Sequence, residues 1–140
     1  MALQKNKVYR AEIMDYTTDG SGVARIDGMA VFVPNTAVGD QCDIRIVKVN
    51  KKMAFGRVES IVISSRDRIE PACPVAGKCG GCCYQHISYE AELRAKFKKV
   101  DDALTRLGGA SGVLDGITGA GDTARYRNKA QYPVAVSYTH

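Results

Sequence analysis

From Lys7 to Ile63 the chain is a succession of short β-branched runs separated by turn residues, a pattern that fits five strands and leaves no room for a helix. Val8 to Thr17 is the first run. Asp19-Gly20-Ser21-Gly22 then makes a tight turn, because glycine supplies the positive φ that other residues resist. Val23 to Ile26 is the second strand, Asp27-Gly28 the next turn and Met29 to Val33 the third strand, which together form a meander. Pro34 stops that strand and residues 35–40 lead onward. Cys42, Ile44 and Ile46 alternate with Asp43 and Arg45, the period of a half-buried strand, so Cys42 is expected in the core. The phase slips at Val47 to Val49, where a bulge or barrel bend is expected. Lys51-Lys52 turns the chain into the fifth strand, Met53 to Ile63, with Gly56 at a close approach or kink.

Five bent strands in so short a stretch suit a small closed barrel of the OB type, which removes exposed edges; an open SH3-like barrel is the structural alternative. The net charge of +5 favours an anionic partner without identifying one. Lys5, Lys7, Lys48, Lys51, Lys52 and Arg57 can share one nucleic-acid face, with Tyr9, Tyr16 and Phe55 available for base stacking. A solvated surface over an ordinary aromatic core is the competing reading.

A chain of 140 residues has room for one ordinary domain or two small ones. It has no apolar run long enough to span a bilayer, and its first residues lack the apolar core of a signal peptide, so a cytoplasmic location is expected. There, thiols stay reduced, and the crowding of four of the five cysteines between Cys73 and Cys83 points to metal ligation rather than disulfides.

Residues 64–72 are polar and charged and read as a linker. Cys73, Cys79 and Cys82 follow with the spacing C-x5-C-x2-C. Three thiolates on one short loop repel each other unless a cation lies between them, and Pro74, Gly77, Gly80 and Gly81 let the backbone curl round it. On spacing alone the metal stays open. Zinc would take a fourth ligand from His86 or Cys83, whereas a four-iron cluster prefers a fourth cysteine from elsewhere. Cys83, directly after a ligand, is expected to point away and is left out of the set.

Ser88 is the expected N-cap of the best helix, with Glu90 and Glu92 in its first turn. Leu93, Phe97, Val100, Leu104 and Leu107 form an apolar stripe that must pack on something, and Gly108-Gly109 closes the helix. Residues 110–124 are a glycine-rich linker. Gly119-Ala-Gly121-Asp-Thr-Ala124 in it imitates a dinucleotide fingerprint but lacks the strand before and the helix after. Arg125, Arg127 and Lys129 line up three cations suited to phosphates, with solvated charge as the bland reading. Ala130 to Tyr138 then alternates Tyr132, Val134, Val136 and Tyr138, as the first strand of a domain continuing beyond this sequence would.

Cys73-Pro-x4-Cys79-Gly-Gly-Cys82-x2-Gln85-His86, followed by the amphipathic helix, resembles the iron-sulfur motif of the RNA (uracil-5-)-methyltransferases that act on 23S ribosomal RNA. The barrel before it looks like the TRAM domain that opens those enzymes, through Asp19-Gly20-Ser21-Gly22-Val23-Ala24, Val31-Phe32-Val33-Pro34 and Gly39-Asp40. Tyr126-Arg127-Asn128-Lys129-Ala130-Gln131 resembles the start of their central RNA-contacting domain. Methylthiotransferases also carry TRAM domains, but their cluster loop is C-x3-C-x2-C and their TRAM module follows the catalytic domain.

The resemblance implies a TRAM-like barrel over 1–63, a linker over 64–72, a cluster loop and helix over 73–109, a second linker over 110–124 and the start of the central domain over 125–140. It implies that Cys73, Cys79 and Cys82 hold a 4Fe-4S cluster whose fourth ligand lies beyond this chain, with Gln85 and His86 in structural roles beside it. It further implies that Lys48, Lys51, Lys52, Arg57, Arg125, Arg127 and Lys129 meet RNA. The cysteine nucleophile, the S-adenosylmethionine domain and the carboxylate base of the family have no counterpart in these residues, so no catalytic residue is assigned and the chain alone is expected to be inactive. No obligate protein partner is expected. A stand-alone RNA-binding module with a redox-sensing or structural metal site is the alternative.

Overall fold

β-branched residues and turn glycines build five strands in the computed structural model, which describes residues 2–132 and 134–136. They are β1 (Val8–Tyr16), β2 (Gly22–Ile26), β3 (Met29–Val33), β4 (Gln41–Val49) and β5 (Met53–Ile63). The sheet closes in the order β1-β2-β3-β5-β4, which decides for the OB-type barrel over the open alternative. All neighbours are antiparallel except β3 and β5, which run parallel.

The expected alternation of β4 holds: Cys42, Ile44 and Ile46 are fully buried, beside Ile13, Val31, Val33 and Ala54. Each such aliphatic side chain contributes roughly 1.5–3 kcal/mol by leaving water. The phase slip is also real. Ile46 pairs with Gly56 and Lys48 with Phe55, so Val47 is skipped and left exposed. Burial pushes the Cys42 thiol up to about 11, which keeps it an inert core group.

Gly22 and Gly56 are required by space inside the barrel. A Cβ on Gly22 would lie 1.9 Å from Thr36 Oγ1 and 2.8 Å from Ile13 Cγ2, and one on Gly56 would lie 2.4 Å from Ile44 Cγ2. Thr36 cannot easily turn aside, because its hydroxyl donates to the Val33 carbonyl at 2.8 Å.

Between β3 and β4 the buried Asp40 carboxylate gathers the rest of the chain around it. It accepts from Ala37 N at 2.7 Å and Ser65 N at 2.8 Å, and it is paired with Arg68 through both oxygens. Burial alone would raise this carboxyl, but the Arg68 hydrogen bond and the two backbone N–H groups hold it below the usual carboxylate range. The stretch read as a linker is therefore fastened to the barrel. Ser65 Oγ also donates to the Val38 carbonyl at 2.6 Å.

Two helices follow, the single-turn α1 (Ala76–Cys79) and α2 (Tyr89–Arg106). Ser88 caps α2 as expected, its hydroxyl accepting from Ala91 N at 3.2 Å, with Glu90 and Glu92 in the first turn. The apolar stripe does not meet the barrel. At 3.6 residues per turn, Ala91, Ala95, Lys98 and Asp102 share one face and the stripe the opposite one. The barrel takes the first face, through Lys98 to Asp15 at 3.2 Å and Lys99 to the Thr18 carbonyl at 2.7 Å. Val100 and Leu107 are left exposed, while the glycine-rich segment crosses Leu93 and Tyr89, with Ala120 N donating to Tyr89 Oη at 2.8 Å.

The strand expected over Ala130 to Tyr138 is not formed in residues 130–132 and 134–136, and Tyr138 lies outside the described residues. Tyr132 and Val134 are exposed there, and a strand without a paired neighbour has no ladder to hold it.

Two outcomes are expected in urea unfolding. Gly22→Ala should destabilise the barrel by about 1–3 kcal/mol through overpacking, whereas Gly77→Ala, in open space, should stay within about 0.5 kcal/mol. Asp40→Asn should cost about 3–5 kcal/mol at neutral pH by leaving Arg68 without its partner. Because the folded carboxyl titrates below its unfolded value of about 3.9, its contribution is present above that pH and is lost as pH falls through the folded value. The acid limb of the stability profile should flatten in Asp40→Asn.

Candidate nucleic-acid interface and cysteine loop

The outer surface of the barrel divides by charge. Two cations on the strands are neutralised across the sheet: Arg10 of β1 pairs with Asp43 of β4, and Arg45 of β4 with Glu59 of β5, each at 2.8 Å. Lys48, Lys51, Lys52 and Arg57 are exposed, and among the described residues they carry no ion pair. Lys5 and Lys7 join this end, because Asn6 N donates to the Ile46 carbonyl at 2.8 Å and Ile46 N to the Lys7 carbonyl at 2.9 Å. The N-terminal segment is thereby laid along β4.

The aromatic side chains are sorted differently from the sequence expectation. Tyr9 packs on the barrel core and its hydroxyl accepts from Gln4 N at 3.2 Å. Tyr16 is half-buried against Tyr84, edge to face at 5.9 Å, and its hydroxyl accepts from Val38 N at 2.9 Å. Neither is available to stack on a base. Phe55 is exposed as expected, and its partner is Phe32, which the sequence reading passed over. The parallel register places Phe32 beside Phe55, and the antiparallel register places Lys48 on the other side of Phe55. An outward residue on β3 paired with an outward residue on β5 could have been found only with the strand order in hand.

Arg125, Arg127 and Lys129 are exposed on a segment without regular structure, with Arg125 at φ 57. Among the described residues no hydrogen bond or ion pair ties them to the barrel face.

The cysteine loop is closed at its base. Arg68 and Ile87 form an isolated β-bridge, Ile69 N donates to the His86 carbonyl at 3.0 Å and Ser88 N to the Asp67 carbonyl at 2.8 Å. His86 is buried, with Nε2 2.8 Å from the Thr36 carbonyl. Burial lowers its pKa, so the neutral ring donates from Nε2, and that nitrogen serves the barrel rather than an ion. Gln85 spans the loop: its Oε1 accepts from Cys73 N and its Nε2 donates to Cys82 Sγ, both at 3.3 Å. Beside Cys82, Gln85 and His86 lies a cleft of about 370 Å³, floored by Arg68.

Cys79 and Cys82 are exposed and Cys73 half-buried, with Gly80 at φ 72 ending α1 between them. Cys83 turns to the barrel, since a Cβ on Gly20 would lie 2.8 Å from its Cβ and 3.3 Å from its Sγ. No group of three or more His, Cys, Asp or Glu side chains able to hold a metal ion is gathered among the described residues. The three loop thiols nonetheless fit an iron-sulfur cluster in donor chemistry, on a loop whose base is fixed and whose thiol-bearing part is exposed.

Residues 2–58 match the TRAM domain family. An uncharacterized RNA methyltransferase of Halalkalibacterium halodurans is 47% identical over 133 residues, covering 94% of this chain and 29% of that protein. One of Listeria monocytogenes is 43% identical over 132 residues, with the same coverage. The crystal structure of a tRNA (uracil-54, C5)-methyltransferase of Pyrococcus abyssi with S-adenosyl-L-homocysteine is similar at a TM-score of 0.44, with 26% identity over 72% of this chain and 22% of that one. The chain thus spans about 29% of the length of the curated relatives it matches. No helix among the described residues is long and apolar enough to cross a membrane. The family match thus lies in the barrel, residues 2–58, and the similarity to uncharacterized RNA methyltransferases extends over 94% of the chain.

Proposed function

We propose that this chain is the RNA-gripping, cluster-bearing N-terminal portion of an S-adenosylmethionine-dependent methyltransferase acting at C5 of uracil in 23S rRNA. The observation that carries the reading is the joining of two unlike devices by one buried carboxylate. Asp40 ties a loop of three soft-metal donors to a barrel that presents, at its β4–β5 end, cations without an ion pair among the described residues. Cys73, Cys79 and Cys82 would hold the cluster, which when bound replaces repulsion among thiolates by iron–thiolate bonds. Gln85 orients the loop through Cys73 N and Cys82 Sγ, and His86 anchors its end through Thr36. Lys48, Lys51, Lys52 and Arg57 neutralise RNA phosphates, and Arg125, Arg127 and Lys129 extend that contact. The nucleophile, methyl donor site and base of C5 methylation belong, in this reading, to other parts of the enzyme.

Two measurements test it. Protein purified without oxygen should contain iron and acid-labile sulfide, both lost in Cys79→Ser and Cys82→Ser; stoichiometric zinc without sulfide would overturn the cluster assignment. Fluorescence anisotropy with a 23S rRNA fragment should show affinity falling steeply with salt. Lys51→Glu with Lys52→Glu should flatten the slope of log K against log salt by about 1.4 if both meet single-stranded phosphates. Binding indifferent to salt and to these substitutions would remove the RNA reading.

A further inference from the structure

We infer that Gln85 does more than hold the cysteine loop: its side-chain amide donates to the Cys82 sulfur and thereby raises the reduction potential of the cluster bound there. The inference rests on the cluster reading above and deepens it, giving this positioning residue an electronic role.

The backbone decides which way the amide points. Cys73 N–H lies 3.3 Å from one end of the Gln85 amide, and a donor there requires the carbonyl oxygen. The NH2 end must therefore face the other way, where Cys82 Sγ lies at 3.3 Å. The root of the side chain is held on both sides. Tyr84 packs edge to face on Tyr16 at 5.9 Å, and His86 is buried with Nε2 2.8 Å from the Thr36 carbonyl. One planar group thus joins the backbone of the first loop cysteine to the sulfur of the third.

A thiolate bound to iron still accepts hydrogen bonds, and each one draws charge off the sulfur and makes the cluster easier to reduce. Much of the loop backbone is already committed elsewhere. Ala76 N donates to the Cys73 carbonyl at 3.1 Å, and Lys78 N and Cys79 N donate to the Val75 carbonyl at 3.0 and 2.8 Å. Arg68, which floors the cleft beside Cys82, is engaged by Asp40. Among the described residues no other side chain donates to the sulfur of Cys73, Cys79 or Cys82. With Cys79 and Cys82 exposed, the donor that reaches a ligand sulfur from the fixed base of the loop is Gln85.

Gln85→Glu separates holding from tuning. It keeps the length of the side chain and an oxygen for Cys73 N, but sets a second carboxylate oxygen against Cys82 Sγ in place of the N–H. Lys78→Gln, beside Cys79, makes the same change in net charge without touching that bond and serves as the control. Each protein is loaded without oxygen from iron(II), sulfide and dithiothreitol, and its potential is read by titrating the paramagnetic signal of the reduced cluster. Losing the bond in Gln85→Glu should change the oxidised-to-reduced ratio at fixed poise by about tenfold, a fall of about 59 mV for one electron. Lys78→Gln should shift by less than half of that, and Gln85→Met, neutral and lacking both contacts, should also fall. A Gln85→Glu potential equal to that of the control would overturn the tuning role. So would a folded Gln85→Glu that takes up no iron, because the amide would then serve only to hold the loop. In metal-free protein, nuclear magnetic resonance should show a Gln85 side-chain NH2 signal that moves in Cys82→Ala; a signal that stays in place would overturn the inference before any metal is added. Wild type that takes up neither iron nor sulfide would instead remove the cluster reading on which it rests.

Discussion

The Asp40 carboxylate is the group on which the rest of the arrangement depends. A carboxylate fully out of water costs several kcal/mol unless its lone pairs are matched, and here two backbone N–H groups and a forked guanidinium match them. The partners come from two separate places in the chain: Ala37 in the β3–β4 connection, and Ser65 and Arg68 in the segment after β5. A buried ion pair of this kind adds little net stability over an apolar cluster of equal volume. It does specify one geometry, because no other position of residues 64–68 satisfies the charge. That geometry sets where the cysteine loop begins, and His86 on the Thr36 carbonyl sets where it ends.

Charge pairing on the barrel separates surface that serves stability from surface that is free to bind. Arg10–Asp43 and Arg45–Glu59 are exposed cross-strand pairs of the sort that contribute about 0–1 kcal/mol and leave no net field. The cations at the β4–β5 end have no such partner among the described residues and keep their field. The bulge at Val47 helps, since the slip turns Lys48 outward beside Phe55 instead of letting the core alternation of Cys42, Ile44 and Ile46 run on.

Local patterns were legible in the sequence and contacts between distant residues were not. The alternation and slip of β4 and the Ser88 cap each follow from residues close together in the chain, and all are present; Gly56 was marked by its place in a strand, while the Ile44 side chain that crowds it comes from β4. Tyr9 and Tyr16 stood open between stacking and core because an amphipathic ring reads the same whether its hydroxyl meets water or a backbone N–H across the fold. Phe32 was missed for the converse reason, since its significance lies in a parallel pairing with β5 that no local pattern announces. The polar run 64–72 reads as a linker, and its fastening to the barrel was not legible because its buried hydrogen bonds go to Asp40 and Val38, far back in the chain. The stripe of α2 was correctly periodic, but periodicity fixes only which residues share a face. The face that meets the barrel is the opposite one, where Ala91 is buried with Ala37 and Ile87 and Lys98 and Lys99 reach Asp15 and Thr18.

The closure of the cysteine loop bears on how costly it would be to load. Bringing the ends of a flexible loop together costs entropy that grows with its length, and a metal binding an open chain must supply it. Here the Arg68–Ile87 bridge and the His86 anchor close residues 68 to 87 before any ligand is engaged. What remains is local: the curl of the backbone past Gly80 that would bring Cys79 and Cys82 toward Cys73, with Gln85 already joining Cys73 N to Cys82 Sγ. The barrel is therefore more than a neighbour of the loop. By fixing its base, the barrel would leave the proposed cluster only a short, glycine-rich stretch to order.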